Sequence, residues 1–220
     1  MPLERVAIIG AGAWGTALAQ AAALAGREVI LIARDPAVVA EINAHHTNTS
    51  HLGTQPLSPA ILAAAKFTGA DLVVLAVPAQ ASRAALSGFA LDSVPVVLTA
   101  KGLEQGSLKR QSEILAEVAP TAIPYVLSGP SFATDVAAGR PTAVTLAGDD
   151  DDATAAIAAA LAGPSFRPYA AGDRIGVELA GALKNVYALA AGAVDGARLG
   201  ASARAALIAR AFAELSRILP

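Results

Sequence analysis

Lys184 is the only charged residue in the run Leu179–Ala191. An ammonium on an otherwise apolar helix is costly to bury unless it points into a polar cleft or meets a partner. It is therefore a candidate for proton exchange; the alternative is a surface lysine at the edge of a buried helix. Lys101 follows an apolar strand-like run, where it can polarise a carbonyl or hold a phosphate, or else be a solvated loop lysine. Ser128-Gly129-Pro130-Ser131 offers hydroxyls and backbone N–H groups to a small polar ligand, against the reading of an ordinary Gly-Pro turn. A fourth feature is the spacing Gly10-x-Gly12-x-x-Gly15. Gly10 permits a tight turn, Gly12 lets a pyrophosphate approach the backbone, and Gly15 lets helix and strand pack closely. Ala13 and Trp14 would open the helix, whose free N–H groups attract phosphate. Trp14 either shelters a dinucleotide or packs between helix and loop.

These residues need strands that end at them. Val6–Ile9 is a short apolar run before the glycines, and an alanine-rich helical run follows to a stop at Gly26. Glu28–Ala33 is a second buried strand, ending in Arg34-Asp35-Pro36. Arg34 suits a ribose 2′-phosphate or stacks on adenine, whereas Asp35-Pro36 reads as the N-cap and first residue of a helix over Ala37–Asn43. This favours NADP(H) and leaves NAD(H) open. Further strands are expected at Ala70–Val77, Val94–Ala100, Ile123–Leu127 and Thr142–Ala147, with helices at Ser107–Val118 and Ala153–Ala162. Phe166–Tyr169 reads as an edge strand, where Pro168 is tolerated. Alternation of this kind implies a doubly wound parallel (Rossmann) α/β sheet. From Asp173 the pattern becomes helical, over Ile175–Ala191 and Ala201–Leu219, joined by the turn Gly192–Gly200. A boundary near Gly172 gives a nucleotide-binding domain over 1–172 and the start of an all-helical substrate domain over 173–220. The helical part is expected to pack on the sheet, on a second subunit of a homodimer, or both.

Composition narrows the function classes. The 220 residues are 55% hydrophobic and 15% charged, with a net charge of -2 and no basic tract, which argues against disorder and against a general nucleic-acid binder. With no cysteine, disulfides, zinc-thiolate sites and thiol chemistry are excluded, which is compatible with a reducing cytoplasm. No apolar run free of Gly, Pro and charge is long enough to span a bilayer, and a signal peptide is not expected. His45, His46 and His51 read as part of a solvated loop rather than a metal site, and Asp149–Asp152 as an exposed helix cap.

Together the motifs Gly10–Leu18, Lys101-Gly102-Leu103-Glu104, Ser128–Ala133, Val177–Val186, Asp195-Gly196 and Ala203–Ile208 carry a family resemblance. The chain resembles the bacterial-type NAD(P)-dependent glycerol-3-phosphate dehydrogenases, which reduce dihydroxyacetone phosphate to sn-glycerol 3-phosphate for phospholipid synthesis. The resemblance implies that Ala13, Trp14, Arg34, Lys101 and Ala133 contact the nucleotide. It implies that Lys101, Gly129, Ser131 and Lys184 contact the phosphorylated substrate, with Lys184 the catalytic proton acceptor and no metal required. Lys101 beside Lys184 would then lower the latter's pKa. Asn185 would orient substrate or cap backbone groups. Ser202 departs from the asparagine common in relatives. The resemblance also implies further helices beyond Pro220, carrying a phosphate-binding arginine and an asparagine. The cofactor fold is thus expected whole and the substrate domain in part. Two alternatives remain: a nucleotide-binding module without turnover, and a reductase of another small hydroxy acid.

Overall fold

β1 (Arg5–Ile9) is apolar on both faces because both faces are covered. Val6 and Ile8 point into one core, with α1 (Ala13–Leu24), while Ala7 and Ile9 point into the other. Strands buried on both sides have no polar face to alternate with, which is why they read as continuous apolar runs. The computed structural model describes residues 3–218.

From β1 the chain runs through α1 to β2 (Glu28–Ile32), then α2 (Pro36–His45) and α3 (Thr49–Leu52). Next come β3 (Ile61–Ala64), β4 (Leu72–Leu75), a 3₁₀ turn at Ala79–Ala81 and α4 (Ser82–Leu86). β5 (Pro95–Leu98), α5 (Gln111–Val118), β6 (Ile123–Ser128), α6 (Ala133–Ala137) and β7 (Thr142–Ala147) continue the alternation. The chain closes with α7 (Asp151–Leu161), β8 (Phe166–Ala171), α8 (Arg174–Gly196) and α9 (Ala201–Ile218). The strands form one sheet in the order β3-β2-β1-β4-β5-β6-β7-β8. α1, α2, α6 and α7 supply the first core; α4, α5 and Val177 of α8 cover the second.

Three features differ from the sequence expectation. β3 lies in a stretch to which the sequence reading assigns no strand; its short Ile-Leu-Ala-Ala run pairs parallel to β2 at the sheet edge. The sheet is not wholly parallel, because β7 runs antiparallel to β6, with Ser128 opposite Thr145. The connection between them, residues 129–141, holds only the five-residue α6. α5 starts at Gln111 rather than Ser107, since residues 104–109 close a turn in which Glu104 N–H donates to the Lys109 carbonyl at 2.9 Å.

β8 takes the edge that Pro168 suggested. Asp150 caps α7 by accepting from Ala153 N–H at 3.0 Å, and Asp149 pairs with Arg174 at 2.8 Å. His45 ends α2 and His51 lies in α3, so the expected loop is partly helical. α8 runs through Gly192 as far as Gly196, into the expected turn Gly192–Gly200; Leu219 lies outside the described residues. By length and apolar composition α8 is sufficient to cross a bilayer. It nevertheless carries Glu178 and Lys184, and its first turns are buried against the sheet at Gly176, Glu178 and Gly181.

Candidate functional site

The site lies at the carboxyl ends of β1, β2, β4, β5 and β6, where a doubly wound sheet opens a crevice. Its first part is a cavity of about 590 Å³ lined by Gly10, Ala11, Gly12, Arg34, Asp35 and His51, with Val77 and Pro78 opposite. Gly10 has φ +107°, and a Cβ there would stand 2.6 Å from the Ala76 carbonyl oxygen. A Cβ on Gly15 would fall on the Gly10 carbonyl oxygen, so the helix can start this close to the strand only through glycine.

Gly12 is different. It is the N-cap of α1, makes no side-chain cap, and a Cβ there would meet no protein atom within 4 Å. Nothing in the fold demands glycine at this position, whereas a ligand seated on the turn would. The uncapped helix start leaves the N–H groups of Ala13, Trp14 and Gly15 free for an anion. These residues fit a dinucleotide pyrophosphate. The Trp14 side chain is half-buried and packs against the core. Asp35 caps α2, accepting from Ala37 N–H at 2.8 Å. That leaves exposed Arg34 at the cavity rim as the side chain suited to a 2′-phosphate.

The second part joins three elements. Lys101 follows β5, Gly129 follows β6, and Lys184 comes from α8. Lys101 Nζ donates to the Gly129 carbonyl at 2.9 Å. Half-burial, and then the neighbouring Lys184 ammonium, pull the Lys101 pKa down from 10.5 to about 8. Lys184 itself is exposed, on the wall of a groove of about 490 Å³ between α8 and α9. Tyr187, Asp195, Arg204 and Phe212 also line it, and Asp195 pairs with Arg204 at 3.2 Å. No carboxylate contributes to the Lys101 environment, so two cations face a space that an anion would relieve. Asn185 Nδ2 stands 3.5 Å from the Lys101 carbonyl oxygen. Ser131 and Ala133 lie just beyond Gly129, at the start of α6. Ala133 packs partly on the core, and neither residue lines the two cavities.

Positioning residues that the sequence reading missed hold this geometry. Glu178 is 6% exposed and accepts from Ser112 N–H at 2.9 Å and Ser112 Oγ at 2.6 Å, with Arg110 at 3.6 Å. It locks α8 to the N-terminus of α5. A Cβ on Gly181 would stand 2.8 Å from Ser128 Oγ, so glycine lets α8 descend onto the tip of β6. A carboxylate inside an apolar helix carries the same signal that singled out Lys184, and would have found Glu178.

Comparison with known proteins covers both parts. Residues 5–154 match the family described as NAD-dependent glycerol-3-phosphate dehydrogenase N-terminus, and residues 173–220 match the corresponding C-terminus. The chain is 52% identical over 224 residues to glycerol-3-phosphate dehydrogenase (NAD(P)+) of Caulobacter vibrioides, covering 99% of this chain and 68% of that protein. It is 49% identical to the Parvibaculum lavamentivorans protein of the same name, covering 98% and 66%. A crystal structure of glycerol-3-phosphate dehydrogenase from Coxiella burnetii superposes with a TM-score of 0.89 at 36% identity, covering 99% of this chain and 69% of that one. The chain therefore spans about two thirds of the length of these relatives.

Proposed function

The chain belongs to the NAD-dependent glycerol-3-phosphate dehydrogenase family, whose reaction is NAD(P)-linked hydride transfer between dihydroxyacetone phosphate and sn-glycerol 3-phosphate, and we propose that Lys184 and Lys101 carry that reaction here. The observation behind this reading is a pair of neighbouring lysines, neither ion-paired with a carboxylate among the described residues, beside an uncapped glycine turn. Gly10, Gly12, Gly15 and the N–H groups of Ala13 and Trp14 hold the pyrophosphate, and Arg34 holds the 2′-phosphate of NADP(H). Ala133 borders the nucleotide at α6. When bound, the cofactor supplies the hydride. Lys101, Gly129 and Ser131 orient the phosphorylated substrate. As hydride reaches C2, the carbonyl electron pair moves onto oxygen, and Lys184 Nζ gives that oxygen a proton; in reverse it takes the proton back.

The nucleotide domain is assigned to 1–172 and the helical segment to 173–220, meeting between β8 and the Asp173 cap of α8. Exposed Leu189, Ile208 and Phe212 support pairing of the helical segment with a second subunit. The lack of cysteine is compatible with a cytoplasmic location.

The test is NADPH oxidation with dihydroxyacetone phosphate, alongside an independent measurement of NADPH binding. Lys184→Ala should lower turnover by roughly 10²- to 10⁴-fold and leave NADPH affinity unchanged. Unchanged turnover would remove Lys184 from the chemistry. The exposure of Lys184 favours one competing reading, nucleotide binding without turnover; tight NADPH binding by the unmodified chain with no oxidation would establish it.

A further inference from the structure

Asn48 is fully buried in a segment otherwise made of small polar residues. It occupies the N-cap position of α3, where an asparagine oxygen ordinarily accepts from the helix's own N–H groups; here it makes no such cap. Its side chain turns instead to the glycine turn. Nδ2 carries two protons, and both are engaged: one with the Ala11 carbonyl at 2.9 Å, the other with Thr16 Oγ1 at 2.8 Å. Oδ1 faces Ser50 Oγ at 3.2 Å and His51 Nδ1 at 3.1 Å. The backbone on either side is fixed by Glu41, which accepts from Thr47 Oγ1 at 2.8 Å and Thr49 N–H at 2.7 Å. Those hydrogen bonds hold the Glu41 carboxyl below its ordinary pKa.

We propose that Asn48 is a positioning residue for the pyrophosphate turn, acting through Ala11 and Thr16 without touching the cofactor. This rests on the reading of Gly10–Gly15 as the dinucleotide site. A peptide unit is planar and trans, so fixing the Ala11 carbonyl also fixes the Gly12 N–H, which points the opposite way. Fixing Thr16 holds the first turn of α1, whose N–H groups remain uncapped. Asn48 thus presets the donors that a pyrophosphate needs, which lowers the ordering cost of binding.

Trp14, the only tryptophan, lies in the same helix turn and reports binding by its fluorescence. Two probes separate the roles: NADPH, which contains the pyrophosphate, and adenosine 2′-phosphate, which lacks it. Asn48→Ala removes both donated bonds and should weaken NADPH about tenfold, with adenosine 2′-phosphate affinity unchanged. Asn48→Asp, which sets a carboxylate against the Ala11 carbonyl oxygen, should weaken NADPH further. Should these variants fail to fold, Thr16→Val removes both bonds of the Thr16 hydroxyl, the one accepted from Asn48 and the one donated to the Ala11 carbonyl, at near-constant shape, and should weaken NADPH about threefold. NADPH affinity unchanged in every folded variant overturns the inference, as does an equal loss of both probes, which marks a merely structural residue. An unmodified chain that fails to bind NADPH overturns the dinucleotide reading, and this inference with it.

Discussion

The glycine turn and the lysine pair lie at the same edge of one sheet but are held by opposite means. At the turn, backbone sits on backbone. Gly15 packs on the Gly10 carbonyl, Gly10 packs on Ala76, and Asn48 seals the loop from behind. At the lysines, side chains from separate elements meet, Lys101 after β5 and Lys184 on the helix α8. Its grip on the sheet comes from Glu178 and the close approach at Gly181, after which α8 runs on with Val186 and Leu189 exposed. A backbone-to-backbone contact such as those at Gly10 and Gly15 tolerates no added atom, whereas a side-chain contact tolerates replacement at graded cost. Changes at Gly10 or Gly15 should therefore cost the fold, and changes around the lysines their alignment.

Four expected outcomes sharpen or break that contrast. Gly15→Ala should have the largest effect, destabilising by about 3 kcal/mol or more in thermal or urea unfolding, because strand and helix cannot both yield. Its neighbour Gly12→Ala should leave stability nearly unchanged and weaken NADPH about tenfold. Equal stability losses at the two glycines would abolish the distinction drawn between them. Glu178→Ala comes next. It leaves the Ser112 N–H and hydroxyl unsatisfied and should cost about 2–3 kcal/mol, with turnover falling and NADPH affinity held. If NADPH affinity fell as far as turnover, the two halves would not be separable.

The third outcome concerns pH. The lowered pKa of Lys101 means that it carries charge below about 8 and loses it above, instead of near 10.5. Affinity for inorganic phosphate, followed by calorimetry from pH 7 upward, should fall as pH passes through about 8. Stability moves the other way. The native state disfavours the cation, so that penalty is present below about 8 and is relieved as pH climbs toward 10.5. Phosphate affinity flat across that range would mean that Lys101 is not the group holding the anion. The smallest effect is expected at Arg34→Ala: NADPH should weaken about fivefold, with NADH untouched. An equal effect on both nucleotides would point to adenine stacking rather than the 2′-phosphate.

Most of this architecture was legible in the residues. Strands buried on both faces announce themselves as unbroken apolar runs, and the glycine spacing marks the turn between Ile9 and Ala13 without reference to anything distant. Asp35 and Asp150 were readable as caps because capping is local. β3 was not legible, since four small apolar residues form a strand only when β2 lies beside them. The reversed direction of β7 was also hidden: apolar patterning marks a strand but not its direction. Asn48 gave no signal among its polar neighbours, because its burial depends on residues more than thirty positions away.

The amino-acid order alone marked most of the strands and helices, the position of the glycine turn, and Lys101 and Lys184 as the cations to follow. Periodicity, glycine spacing and lone charges are properties of neighbours along the chain. Only the tertiary structure decided that Lys101 carries a depressed pKa, that Glu178 fixes the helix bearing Lys184, and that Asn48 braces the turn. Each of those depends on burial and on distances between segments far apart in sequence, which packing sets.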